Sequence, residues 1–295
     1  MRSSIVVIVL FAACSCNSFI DRKAATSTYR ILVASVDAAK RQPDVELARE
    51  ALPGGLAQLQ GFAAAYPDFR GFKELYADAL CTYAAAFVFD DFEAAQLDKR
   101  DDDAQRIGTR LKSLLGACVA ANIALLAPAW RTRTNESIDA LLATATRDHV
   151  SALRWIAMAE AVTIAVDPAA GFSRLGVTIA MLKRCTVLAP FAHDADCELM
   201  LGSIEAGTSR FFHGEDGSAR FSAARAALGD GALMVDVMDA RAVAVAHGDH
   251  ATFEAKLRRV LAADPERWPE RRLENELARR KAQRYLAAED QLIAR

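Results

Sequence analysis

Apolar residues recur at intervals of three and four along residues 29–295. This spacing places them on one face of a helix, and alanine and leucine, both strong helix formers, are abundant. No stretch alternates apolar and polar residues between turn signals, as a half-buried strand would. The sequence therefore predicts an all-α chain with helices over 29–40, 45–66, 67–89, 106–127, 135–142, 149–166, 175–188, 194–212, 218–228, 233–246, 250–262 and 271–292.

Proline, glycine and charged clusters mark where the helical pattern breaks. Pro53-Gly54-Gly55 predicts a kink or a restart within the segment 45–66. The charged, mainly acidic stretch 98–103 predicts either a solvated loop or the start of a helix.

Two turns in the C-terminal part repeat at a fixed distance. His213-Gly214-Glu215-Asp216 and His247-Gly248-Asp249-His250 begin 34 residues apart, and so do Gly231 and Pro265. Thirty-four residues is the period of tetratricopeptide (TPR) repeats, in which a helical hairpin buries its apolar face by stacking on the next hairpin. The prediction is an irregular TPR-like stack of antiparallel helical hairpins, similar to an α-solenoid. The repeat is degenerate, since the middle of the chain shows no clear unit.

The N-terminus has the features of an export signal. Residues 5–13 are uncharged and mostly apolar after a single Arg2, and this run is too short for a spanning helix, which needs about 20 apolar residues. Phe11-Ala12-Ala13-Cys14 resembles a bacterial lipobox, in which the cysteine is acylated and becomes the mature N-terminus. Cys16 is the alternative lipidation site, and an ordinary cleaved signal is the other interpretation. We therefore divide the chain into a signal peptide (1–13), a lipidated tether (14–28) and a single all-α domain (29–295).

The charge balance argues against a nucleic-acid or polybasic membrane partner. The chain has 36 Lys and Arg residues against 38 Asp and Glu residues, a net charge of -2. Such a chain has no basic footprint for phosphate. Any attachment to the membrane must therefore come from lipid on the N-terminus.

Four cysteines lie in the domain: Cys81, Cys118, Cys185 and Cys197. Export would place them in an oxidising compartment. Cys185 and Cys197 flank Pro190 and would face each other across a helix–helix turn, which permits a disulfide. The alternative is that all four are small buried thiols in ordinary helix-core positions.

Catalytic and metal-binding motifs are weak throughout. The turns that begin at His193, His213 and His247 combine histidine with acidic residues, but these are also ordinary turn and cap residues. No nucleophile elbow, P-loop or G-x-G-x-x-G is present. The sequence predicts a non-enzyme without metal or cofactor.

Aromatic residues are the weak candidates for ligand contacts. Tyr83 and Phe87 lie in a stretch rich in small residues, 78–88, which either packs closely or leaves room for a ligand. Trp155 could line a cavity between helices, together with other aromatics that are more simply core: Phe172, Phe191, Phe211, Phe212 and Phe221.

Several stretches, in this order, resemble the T-component of tripartite ATP-independent periplasmic (TRAP) transporters. Besides the lipobox they are ALPGGL (51–56), AAAYPD (63–68), LCTYAAAF (80–87), VLAADP (260–265) and RLENELARRKA (272–282). The resemblance covers nearly the whole mature chain. It implies a TPR-like periplasmic lipoprotein that docks the transporter's substrate-binding protein and offers a hydrophobic passage for a small organic acid or lipid-like ligand. It also implies a homo-oligomer, plausibly a trimer. Because Ser15 follows Cys14, the sorting rule for such lipoproteins indicates the outer membrane.

Two other hypotheses remain open from the sequence. One is a generic TPR scaffold lipoprotein that binds peptides or envelope-assembly proteins in a concave groove. The other is an enzyme, such as a metal-dependent hydrolase.

Overall fold

The computed structural model describes residues 23–209 and 214–293, and within them every regular element is helical. The all-α prediction is confirmed. Cys14 and Cys16 lie outside the described residues, as do Phe211, Phe212 and His213. The helices are α1 (23–40), α2 (Val45–Ala65), α3 (Arg70–Tyr83), α4 (Phe89–Leu97), α5 (Asp101–Ile123), α6 (Ile138–Ala143), α7 (Val150–Val166), α8 (Pro168–Gly171), α9 (Leu175–Leu188), α10 (Asp196–Thr208), α11 (Ser218–Leu228), α12 (Leu233–Asp239), α13 (Val245–His247), α14 (His250–Ala262), α15 (Arg272–Ala287) and α16 (Glu289–Leu292).

Helix α2 continues through Pro53, where the sequence predicted a kink or a restart. Its start is fixed by Asp44, whose side chain accepts hydrogen bonds from the N–H groups of residues 46 and 47. Val45 and Ala48 are buried before the proline and Leu59 after it, and α2 packs against α3. Packing on both sides of Pro53 therefore outweighs the local cost of the proline.

Two π-helical segments interrupt the α-helical geometry. Ala84–Val88 joins α3 to α4, so the helix that was predicted to end near residue 89 continues to Leu97. Ala240–Ala244 joins α12 to α13 in the same way. The acidic stretch 98–103 is a short turn followed by the first turn of α5, where three aspartates complement the helix dipole.

Helix α7 forms the centre of the fold. It packs against α5 on one side and α9 on the other. Residues Arg147–Val166 are the one described stretch long and apolar enough to cross a membrane, but 61% of the apolar window is buried within the protein. It therefore has the character of a core helix.

The C-terminal helix α15 returns to the N-terminal helices. Lys281 lies 2.9 Å and Arg284 2.5 Å from the buried carboxylate of Asp90 on α4, and Arg280 lies 2.6 Å from Glu46 on α2. Burial alone would raise the pKa of Asp90, but the two cations outweigh burial and hold this pKa at about 2. These pairs join the two ends of the domain.

Close backbone contact orders the turn before α11. Gly217 has a φ of +78°, and a Cβ at this position would lie 2.1 Å from the carbonyl oxygen of Gly202 on α10. A Cβ at Gly202 would in turn lie 2.9 Å from the ring of Phe221 on α11. The two glycines thus allow α10 and α11 to approach closely.

Candidate functional site

The three aromatic ligand candidates lie in one hydrophobic cluster. Tyr83, Phe87 and Trp155 are all buried there, between α3, the first π segment, α5 and α7. Tyr83 accepts a hydrogen bond from the guanidinium of Arg110, and Trp155 donates one to Asp78 at 2.7 Å. Neither the polar cleft described below nor a second cleft beside Arg41 and Arg272 is lined by these aromatics. The structure brings the three together as packed core.

The other aromatics that the sequence singled out do not converge. Phe221 is fully buried among α10, α11 and α12, whereas Phe172 is 61% and Phe191 36% exposed. They do not form one cavity lining.

A buried arginine joins three helices next to Trp155. The Arg154 side chain on α7 is 6% exposed and lies 2.9 Å from Asp78 on α3 and 2.5 Å from Asp196 on α10. Its guanidinium also lies 4.1 Å from the centre of the Trp155 ring. Burial raises the pKa of Asp196, and Arg154 opposes this rise. The charge of Arg154 is thus satisfied by two carboxylates from two different helices.

The loop between α9 and α10 holds an unusual backbone conformation. His193, Asp194 and Ala195 have φ values of 50°, 58° and 62°, and Phe191 also has a positive φ. Consecutive non-glycine residues in this region cost free energy, and such strain often occurs at functional sites. The loop lies beside a disulfide between Cys185 and Cys197.

Charged groups surround this loop. Asp194 pairs with Arg271, which also lies 3.1 Å from Glu274 at the start of α15. Burial, together with the nearby charge of Asp194, raises the pKa of Glu274 to about 7. Burial and the charge of Arg154 lower the pKa of His193. The strained loop therefore borders a group that titrates near neutral pH.

The structure contains a second disulfide that the sequence did not single out. Cys81 on α3 is bonded to Cys118 on α5, and all four sulfurs are buried. The alternative of four separate buried thiols is therefore wrong, because the cysteines form two disulfides. The two cysteines are 37 residues apart, so no local sequence motif indicates that they are bonded. Only the packing of α3 against α5 brings them together.

His247 and His250, in the last of the predicted histidine turns, each pair with one carboxylate. His247 lies 3.3 Å from Asp216, and His250 lies 2.7 Å from Glu289. Within residues 23–209 and 214–293, no three His, Cys, Asp or Glu side chains are grouped so that they could hold a metal ion.

A polar cleft of about 390 Å³ lies elsewhere in the domain. The segment between α5 and α6, the middle of α7 and the start of α9 line it. Its charged residues are Arg131, Arg133, Glu136, Glu160 and Arg174. The sequence analysis missed this cleft, since its charged residues lie in three separate segments.

The family model for the TRAP transporter T-component (TAtT) matches residues 41–293. The chain belongs to the TRAP transporter T-component family. The resemblance inferred from the sequence motifs is confirmed, and it connects this T-component with transport. The match includes the buried aromatic cluster, the strained loop, both disulfides and the polar cleft. No curated protein matched the sequence.

Proposed function

We propose that this T-component is a non-catalytic, lipid-anchored periplasmic protein that docks the substrate-binding protein of a TRAP transporter. The single observation that carries the proposal is the family match over residues 41–293, nearly the whole domain. We also propose that the helices form a TPR-like stack of antiparallel hairpins. Sequential helices that pack on each other, such as α2 with α3 and α10 with α11, support it.

Two features support an envelope location. Residues 5–13 form a charge-free, mostly apolar run directly before Cys14, and the domain contains two buried disulfides. Disulfides persist in the periplasm and are rare in the cytosol. We place the protein in the outer membrane because Ser15 follows Cys14.

The anchor is tested by labelling cells with a radioactive fatty acid. Cys14→Ser should abolish incorporation of the label, whereas Cys16→Ser, the matched control, should leave it unchanged. Loss of label only in the Cys16 variant would move the anchor to the alternative site. Label in neither the wild type nor the variants would refute lipidation.

Docking is tested by cross-linking in the intact cell envelope and identifying the adducts by mass spectrometry. We expect an extracytoplasmic solute-binding protein among them. Recovery of peptides or outer-membrane assembly factors alone would instead support the scaffold hypothesis and refute the docking proposal.

A homo-oligomer, plausibly a trimer, and a hydrophobic passage complete the proposal. Native mass spectrometry of the mature protein should show an oligomer that carries a fatty or organic acid. A bare monomer would argue for the scaffold instead.

A further inference from the structure

The polar cleft beside α7 has the charge of an anion-binding site. Arg131 and Arg133 come from the segment after α5, and Arg174 directly precedes α9. Three guanidinium groups thus face two carboxylates, those of Glu136 and Glu160. The lining carries an excess positive charge, although the whole chain is slightly acidic.

One of the three arginines is fixed by a buried partner. The Glu160 side chain is 3% exposed and pairs with Arg133, whose side chain is 10% exposed. The other carboxylate oxygen of Glu160 accepts a hydrogen bond from the fully buried Thr178 at 3.3 Å. Arg133 and Glu160 therefore neutralise each other within the lining of the cleft.

The charges of Arg131 and Arg174 remain available to a ligand. Arg174 lies 3.9 Å from Glu160, at the outer limit of an ion pair, and its side chain is 64% exposed. No carboxylate within residues 23–209 and 214–293 pairs with Arg131.

The size and chemistry of the cleft fit a small charged molecule. A volume of about 390 Å³ lies in the range of small-molecule sites, which is about 300–1,000 Å³. Guanidinium groups bind carboxylate and phosphate groups through paired hydrogen bonds. We infer that this cleft binds a small molecule through a carboxylate or phosphate group, held between Arg131 and Arg174 above the Arg133–Glu160 pair.

Isothermal titration calorimetry on the purified full domain tests the site with three probes: succinate, inorganic phosphate and neutral succinamide. Succinate or phosphate should bind, and succinamide should not. The stronger of the two anions identifies the group that the cleft prefers. Absence of binding by both anions would overturn the inference.

Substitutions then locate the binding. Arg131→Gln and Arg174→Gln should each weaken the anion by about tenfold, and Arg174→Lys should weaken it less, because a lysine keeps the charge but loses the paired hydrogen bonds. Glu136→Gln removes a carboxylate from the rim and should tighten binding. The control is Arg258→Gln, an exposed arginine on α14 that should leave the affinity unchanged.

The same substitutions can overturn the assignment of the anion to this cleft. Anion binding that survives Arg131→Gln combined with Arg174→Gln, or that falls equally in the Arg258 variant, would overturn the site. Circular dichroism checks that each variant is folded. The measurement uses the isolated protein, so its failure would leave the docking proposal intact, and failed docking would leave this site intact.

Discussion

The two disulfides make a quantitative prediction about stability. Cys81–Cys118 closes a loop with a separation of 37 residues, and Cys185–Cys197 one with a separation of 12. The chain-entropy relation then gives a stabilisation of about 3.8 kcal/mol for the first bond and about 2.8 kcal/mol for the second. Replacing both cysteines of a pair by alanine should remove these amounts, so the two variants should differ by about 1 kcal/mol.

The two double Cys→Ala variants are matched in the burial of the residues that they replace. All four cysteines are at most 4% exposed, so the packing lost on Cys→Ala is similar for the two pairs. The midpoint and slope of urea unfolding, followed by circular dichroism under oxidising conditions, give the free energies of unfolding.

Reduction of the wild type provides the control. A reductant should lower the unfolding midpoint of the wild type and have a smaller effect on each variant. If the variant that lacks Cys185 and Cys197 is the less stable one, the loop-closure reasoning is wrong. If reduction changes nothing in the wild type, the cysteines are not bonded in solution.

Three further substitutions test other parts of the fold. Arg154→Gln leaves two carboxylates without their shared cation and should lower the free energy of unfolding by about 3–5 kcal/mol, measured in urea. Glu274 has a pKa raised from 4.5 to about 7, so the folded state loses stability as the pH rises through this window. Glu274→Gln should therefore raise the melting temperature at pH 8 but not at pH 4, and Glu276→Gln, on the same helix, should show no such pH difference. Gly217→Ala places a Cβ against a backbone oxygen and should lower the free energy of unfolding by about 3 kcal/mol or more. Gly248→Ala has open space around the new Cβ and should lower it by only about 1–2 kcal/mol, because of its positive φ. Equal losses of stability in thermal unfolding would contradict this steric argument.

Local sequence predicted many helix boundaries closely. The predicted ranges 175–188, 218–228 and 250–262 coincide with α9, α11 and α14. Gly217 and the capping residue Asp249 precede α11 and α14, and a proline or glycine follows each of the three helices within three residues. These limits therefore depend on neighbours in the sequence. At Pro53 the helix continues without the restart that was one of the two alternatives. The predicted end near residue 89 was wrong, because the π segment Ala84–Val88 packs against α5 and leads directly into α4.

The sequence carries less information about the candidate sites than about the helix boundaries. Tyr83, Phe87 and Trp155 were weak ligand candidates from the sequence, and in the structure all three are buried in one hydrophobic cluster. The polar cleft was missed because Arg133 and Glu160 are 27 residues apart and belong to different elements.

The sequence alone determined that the chain is helical, where most helices begin and end, and which family its motifs resemble. These properties depend on residue periodicity and on short motifs, which need no long-range contact. Only the tertiary structure decided which cysteines are joined, how α15 pairs with α4, and which arginines share one cleft. Each of these depends on distances between residues far apart in the chain, which are fixed only when the apolar helix faces pack against each other.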